Sequence, residues 1–122
     1  MKLDKKKIIS ITLFILILIY SSIKILTKTL GNMDEIWSYN FANQISSSLL
    51  PYKDFNIITT PLLPFIAGIF LKVYNSLFTM RILSIIVSTT SMYLVYKILD
   101  KLNIKLSVLL TILISVFYFN YY

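Results

Sequence analysis

Large apolar residues fall into four runs, 8–26, 61–75, 80–99 and 104–122, and one markedly polar stretch separates the first run from the rest. The run 8–26 is broken only by Ser10, Thr12, Tyr20, Ser21, Ser22 and Lys24. At 1.5 Å rise per residue its length matches the roughly 30 Å hydrocarbon core of a bilayer. Lys24 sits near its far end, where a lysine stem can snorkel to the interface. A cleaved leader is the rival reading, because Lys2, Lys5, Lys6 and Lys7 make a basic head. Residues 20–24, Tyr-Ser-Ser-Ile-Lys, lack a small-residue cleavage site, and further apolar runs follow, so a retained anchor is expected.

The polar stretch carries its own signals. Asn32 followed by Glu35 has capping-box spacing and predicts a helix over 33–49. Trp37, Phe41, Ile45 and Leu49 recur every fourth residue, one apolar stripe on a helix otherwise rich in Asn, Gln and Ser. Such a helix lies on a membrane surface or on neighbouring helices. Pro51 is expected to stop it, and Leu50-Pro51-Tyr52-Lys53-Asp54-Phe55 reads as a turn. The run 61–75 starts with Pro61 and Pro64 after Thr60, a good helix start with both prolines in the first turn. It predicts roughly 22 Å of helix, too short to span comfortably, and it contains Lys72. The run 80–99 opens with Arg81 near its start and Lys97 near its end. Residues 100–103 connect it to 104–122, which finishes in an aromatic cluster of the kind found at membrane interfaces.

Charge decides between two topologies. If 61–75 spans, Lys97, Lys101 and Lys105 fall outside. If it is a surface or re-entrant helix, they join Lys2, Lys5, Lys6 and Lys7 inside, which places seven of the 12 basic residues in cytoplasmic flanks. The expected fold is therefore all-α: a polytopic protein of the cytoplasmic membrane with about three transmembrane helices (8–26, 80–99 and 104–122). Its N-terminus lies inside, and the loop 27–79 lies outside with juxtamembrane helices 33–49 and 61–75. The whole composition agrees, with 57% hydrophobic and 14% charged residues in 122, against about 45–50% and 25% in soluble domains. The net charge of +7 flanks the apolar runs instead of gathering on one face, so no nucleic-acid partner is expected.

Missing residue types narrow the chemistry. There is no histidine and no cysteine, which excludes Ser-His-Asp and Cys-His catalysis, disulfides and Cys/His zinc sites within these residues. Acid–base or metal work must come from Asp4, Asp34, Glu35, Asp54 or Asp100. Asp34-Glu35 is the most pointed candidate, since it opens the surface helix directly after the first span. A carboxylate there can act as base on a hydroxyl or hold a divalent metal that bridges a phosphate. Acids in a first helical turn also answer the helix dipole without any chemistry. Arg81, with its planar donors, is a candidate for a lipid phosphate or a plain headgroup anchor. Lys53 and Asp54 are weaker candidates, because polar pairs after proline are ordinary turn residues.

The order of these parts resembles the N-terminus of GT-C-type integral membrane glycosyltransferases: the protein O-mannosyltransferases, the lipid A aminoarabinose transferases and family 39-related bacterial members. The residues that carry the resemblance are Asn32-Met33-Asp34-Glu35-Ile36-Trp37-Ser38-Tyr39, Leu50-Pro51-Tyr52-Lys53-Asp54-Phe55, Pro61-Leu62-Leu63-Pro64-Phe65 and Met80-Arg81-Ile82-Leu83-Ser84. The resemblance implies a polyprenyl-phosphate sugar donor and inverting transfer to an acceptor at the outer face. It implies Asp34 as base or metal ligand, Glu35 as its partner and Arg81 near the donor phosphate; Lys53 and Asp54, in the turn that shares the resemblance, are kept as the weaker substrate-binding candidates. It also implies juxtamembrane helices between the first two spans. Members of that group carry many more spans and a second acidic residue on a later outer loop. The chain is thus expected to be an N-terminal fragment, inactive alone, whose partners are membrane lipid and the remaining helices of a longer chain or a membrane partner. The other expectation is a small non-enzymatic membrane protein that serves as a subunit or helper.

Overall fold

The computed structural model describes residues 5–29 and 33–121. Among them the fold is all-helical: α1 Lys5–Leu26, α2 Met33–Ser46, α3 Leu62–Leu71, α4 Leu77–Lys101 and α5 Ser107–Tyr121. An isolated bridge between Pro51 and Phe55 is the one β-type pairing among the described residues. The chain divides into two compact units, Met1–Lys28 with Ser84–Tyr122, and Thr29–Leu83.

The first unit holds α1, most of α4, and α5. On α1 the buried positions are Ser10, Leu13, Ile17, Ser21 and Ile25, spaced three or four apart so that they form one stripe. Ile8, Ile11, Ile15, Ile19 and Ile23 lie on the exposed side. Helix α4 buries Ile85, Ser88, Thr89, Met92 and Tyr96, and α5 buries Ser107, Thr111, Ser115 and Phe119, each four residues from the last. The pattern differs from that of a water-soluble bundle: hydroxyls share the interior with Leu13, Ile17 and Met92, while many isoleucines face outward. Small hydroxyl residues let helices approach and bond across when the surroundings are as apolar as the core. The hydroxyls of Ser21 and Thr89 are hydrogen-bonded at 2.8 Å, and those of Ser10 and Tyr93 also at 2.8 Å. Thr111 and Ser115 donate to the carbonyls of Ser107 and Thr111. Among the described residues no buried side-chain polar atom lacks a partner. Lys6 meets Asp100 at 3.8 Å and Lys24 donates to Asn120 at 2.7 Å. These pairs fix α4 antiparallel and α5 parallel to α1.

Helices α1 and α4, with 22 and 25 residues, are long and apolar enough to cross a membrane. Helix α5 is not of that length: its 15 residues make roughly 22 Å. The difference from the expected 104–122 lies at the start. Asn103 adopts a left-handed φ of 57°. Ile104 N–H donates back to Leu99 O, and Asn103 N–H to Asp100 O, a Schellman closure of α4 that delays the next helix.

Other boundaries shift for equally local reasons. Helix α2 ends at Ser46, not at 49, and Pro51 is not what stops it. Ser48 turns left-handed at φ 69°, and Leu49 and Ser48 N–H donate to Gln44 and Ile45 carbonyls, the same closure. The expected Asn32 cap lies outside the described residues. Helix α3 takes Pro61 itself as N-cap, without a side-chain cap from Thr60, and stops at Leu71 rather than 75. Helix α4 starts three residues before Met80, where the Ser76 hydroxyl accepts from Phe78 N–H at 3.2 Å.

The second unit packs α2 on α3. Ala42, Ala67 and Leu71 form its buried centre, with Tyr39, Met80 and Leu83 against it. Gly68 is the point of closest approach. A Cβ placed there would sit 3.0 Å from Ile45 Cγ2 and 3.1 Å from the Ala42 carbonyl oxygen.

Candidate functional site

Asp34 and Glu35 occupy the first turn of α2, as expected. Glu35 does not serve there as an open carboxylate. Arg81 Nε donates to Glu35 Oε1 at 2.7 Å and Arg81 Nη2 donates to Oε2 at 3.1 Å. This is a two-point fork that matches guanidinium to carboxylate geometry. The pair is sheltered, with side-chain exposures of 13% for Arg81 and 22% for Glu35. Two candidates that stand 46 residues apart in sequence are therefore brought together, and each occupies the other. The fork fastens the start of α2 to the second turn of α4, because α4 begins at Leu77 and Arg81 lies one turn in. The carboxylate held at this junction is that of Glu35, and Asp34 stands exposed beside it.

Among the described residues no three Asp or Glu side chains gather into a metal-binding group. Both Glu35 oxygens are on Arg81, so a metal at this helix start would have Asp34 as its carboxylate ligand. One carboxylate plus substrate phosphates is a donor set that Mg²⁺ accepts.

Asp54 is committed to its own turn. Its Oδ2 accepts from Leu50 N–H at 2.8 Å while its N–H donates to Leu50 O at 2.9 Å. Tyr52, at φ 66°, donates its N–H to Phe55 O, and Phe55 stacks on Phe41 with centroids 6.1 Å apart. Lys53 projects exposed from that turn. Neither residue is in the fork.

A polar ladder outside the sequence candidates also ties α2 to the α3–α4 connection. The Tyr39 hydroxyl donates to Asn75 Oδ1 at 2.8 Å, and Asn75 Nδ2 donates to Asn43 Oδ1 at 2.6 Å. Tyr39 and Asn43 are one helical turn apart, a spacing visible in sequence. Their partner in the α3–α4 connection is not, because nothing local marks Asn75. A shallow groove of ≈ 270 Å³ lies between the end of α2 and α3, lined by Ile45, Leu49, Leu50, Phe65, Ile69 and Lys72 among others. None of the sequence candidates lines it.

No family model, no curated protein and no solved structure matches this chain.

Proposed function

We propose that this chain is the N-terminal part of an integral membrane glycosyltransferase that takes a sugar from a polyprenyl-phosphate donor. In this reading it resides in the cytoplasmic membrane, N-terminus inside, with 27–79 on the outer face and α5 completing a third crossing together with neighbouring helices. Asp34 takes the proton from the acceptor hydroxyl as its oxygen attacks the anomeric carbon. The bond from that carbon to the phosphate oxygen breaks, and the phosphate leaves with the electron pair. Glu35 and Arg81 act as positioning residues, not as the base and the phosphate contact. The sheltered two-point fork is the observation that carries this reading: it spends a carboxylate and a guanidinium on fixing where Asp34 stands. Positioned proton transfer is worth about 10²–10⁴ in rate, which is a reason for such a fixture.

The test is a deletion strain whose lipid extract is read by mass spectrometry for polyprenyl-phosphate sugars. The undisturbed coding frame should clear the accumulated lipid. Asp34→Asn, present in membranes at the same level, should leave it uncleared, with turnover lowered about 100-fold or more. Clearance by Asp34→Asn removes the assigned role.

A non-enzymatic helper subunit is the second reading. The bare apolar sides of α1 and α3, with Ile19, Ile23, Leu62 and Ile69 exposed, favour it, since they suit docking onto other membrane helices. A deletion strain with an unchanged lipid-sugar pool would select it.

A further inference from the structure

We propose that the groove between the end of α2 and α3 seats one anionic phospholipid of the bilayer, its acyl chain between the helices and its phosphate on Lys72. The walls are hydrocarbon: Ile45, Leu49 and Leu50 from the α2 end, Phe65 and Ile69 from α3. The lining holds one charge, the ammonium of Lys72, and no carboxylate. Apolar walls with a single cation at the edge fit a hydrocarbon chain that bears an anion, and they give a free phosphate ion nothing but the one lysine.

The supply of such a molecule follows from the chain path, given the membrane placement proposed above. Lys72 precedes the first residue of α4 by five residues, so it lies within about 18 Å of that helix end even if the link were fully extended. With α4 across the bilayer, Lys72 lies near the headgroup layer. Leu62, Ile66, Phe70 and Val73, on and just beyond α3, are exposed, and they continue the apolar surface outward from the groove.

A polyprenyl-phosphate donor is the rival occupant, since it too joins a hydrocarbon chain to a phosphate, and direct competition separates the two.

The experiment uses the chain in nanodiscs of phosphatidylcholine with phosphatidylglycerol, released into detergent for native mass spectrometry. One phosphatidylglycerol should remain per chain, in preference to phosphatidylcholine. Lys72→Glu should lower its retention about tenfold, and Lys72→Arg should keep it. Ile69→Trp, which fills the groove without touching the charge, should lower retention as well. Both sites are exposed, and circular dichroism confirms that the helices persist. Equal retention of the two lipids, unchanged retention in Lys72→Glu, or displacement of phosphatidylglycerol by an equal amount of polyprenyl phosphate overturns the proposal. The readout is independent of glycosyl transfer, so failure here leaves the Asp34 test standing, and the reverse.

Discussion

Glu35 and Arg81 show how one contact redistributes roles among neighbouring residues. Exposed ion pairs contribute about 0–1 kcal/mol and breaking a fully buried one costs about 3–5 kcal/mol. The partly sheltered fork lies between, so Glu35→Ala is expected to destabilise the unit 29–83 by about 2 kcal/mol, leaving a sheltered guanidinium without its carboxylate. The double variant Glu35→Ala with Arg81→Met should recover part of that loss. Unfolding of the parent and these two variants in detergent micelles checks the order, and a double variant less stable than the single one would contradict it. Each of these residues stands out in the sequence as charge among apolar neighbours. Their pairing does not, because a capping box and a headgroup anchor are equally good local explanations. Only the fold brings the two within 3 Å.

At the scale of elements, the α2–α3 contact depends on Gly68. An alanine Cβ would press on Ile45 and on the Ala42 carbonyl oxygen, and a backbone oxygen yields less readily than a side-chain tip. Overpacking of this kind costs about 1–3 kcal/mol. Against it stands the gain of about 1 kcal/mol from replacing glycine in a helix. Gly68→Ala should therefore destabilise by about 1 kcal/mol and Gly68→Val by more, read as a lower midpoint in thermal unfolding. A stabilised Gly68→Ala would show that α2 and α3 can part at no cost. All five helices are legible in the hydrophobic pattern; the end of α1 at Leu26 and the start of α2 at Met33 are too, while most of the other ends are not. Schellman closures at Ser48 and Asn103 rest on left-handed residues. Asparagine advertises such a site, whereas serine rarely does, which is why Pro51 draws the eye as the stop signal.

For the molecule as a whole, crossing direction can be read without disturbing native thiols, since these 122 residues contain no cysteine. Ser47→Cys should react with a membrane-impermeant maleimide in intact cells, and Lys101→Cys only after permeabilisation. Labelling of both from the same side would show that α4 does not cross. The same pair of variants tests the lysine distribution behind the orientation, because positive charge is retained on the cytoplasmic side. The excess of apolar residues, the placement of lysines and the lack of histidine and cysteine depend on composition and order alone. They are enough to predict an all-helical chain with helices of membrane-crossing length, expected as three where the structure shows two among the described residues, and to confine acid–base chemistry to a few carboxylates. Which carboxylate is held, and by which cation, depends on residues 46 apart meeting across packed helices, and where a groove opens depends on how α2 lies on α3. Such meetings are set by the packing of whole faces, and no local spacing in the chain encodes them.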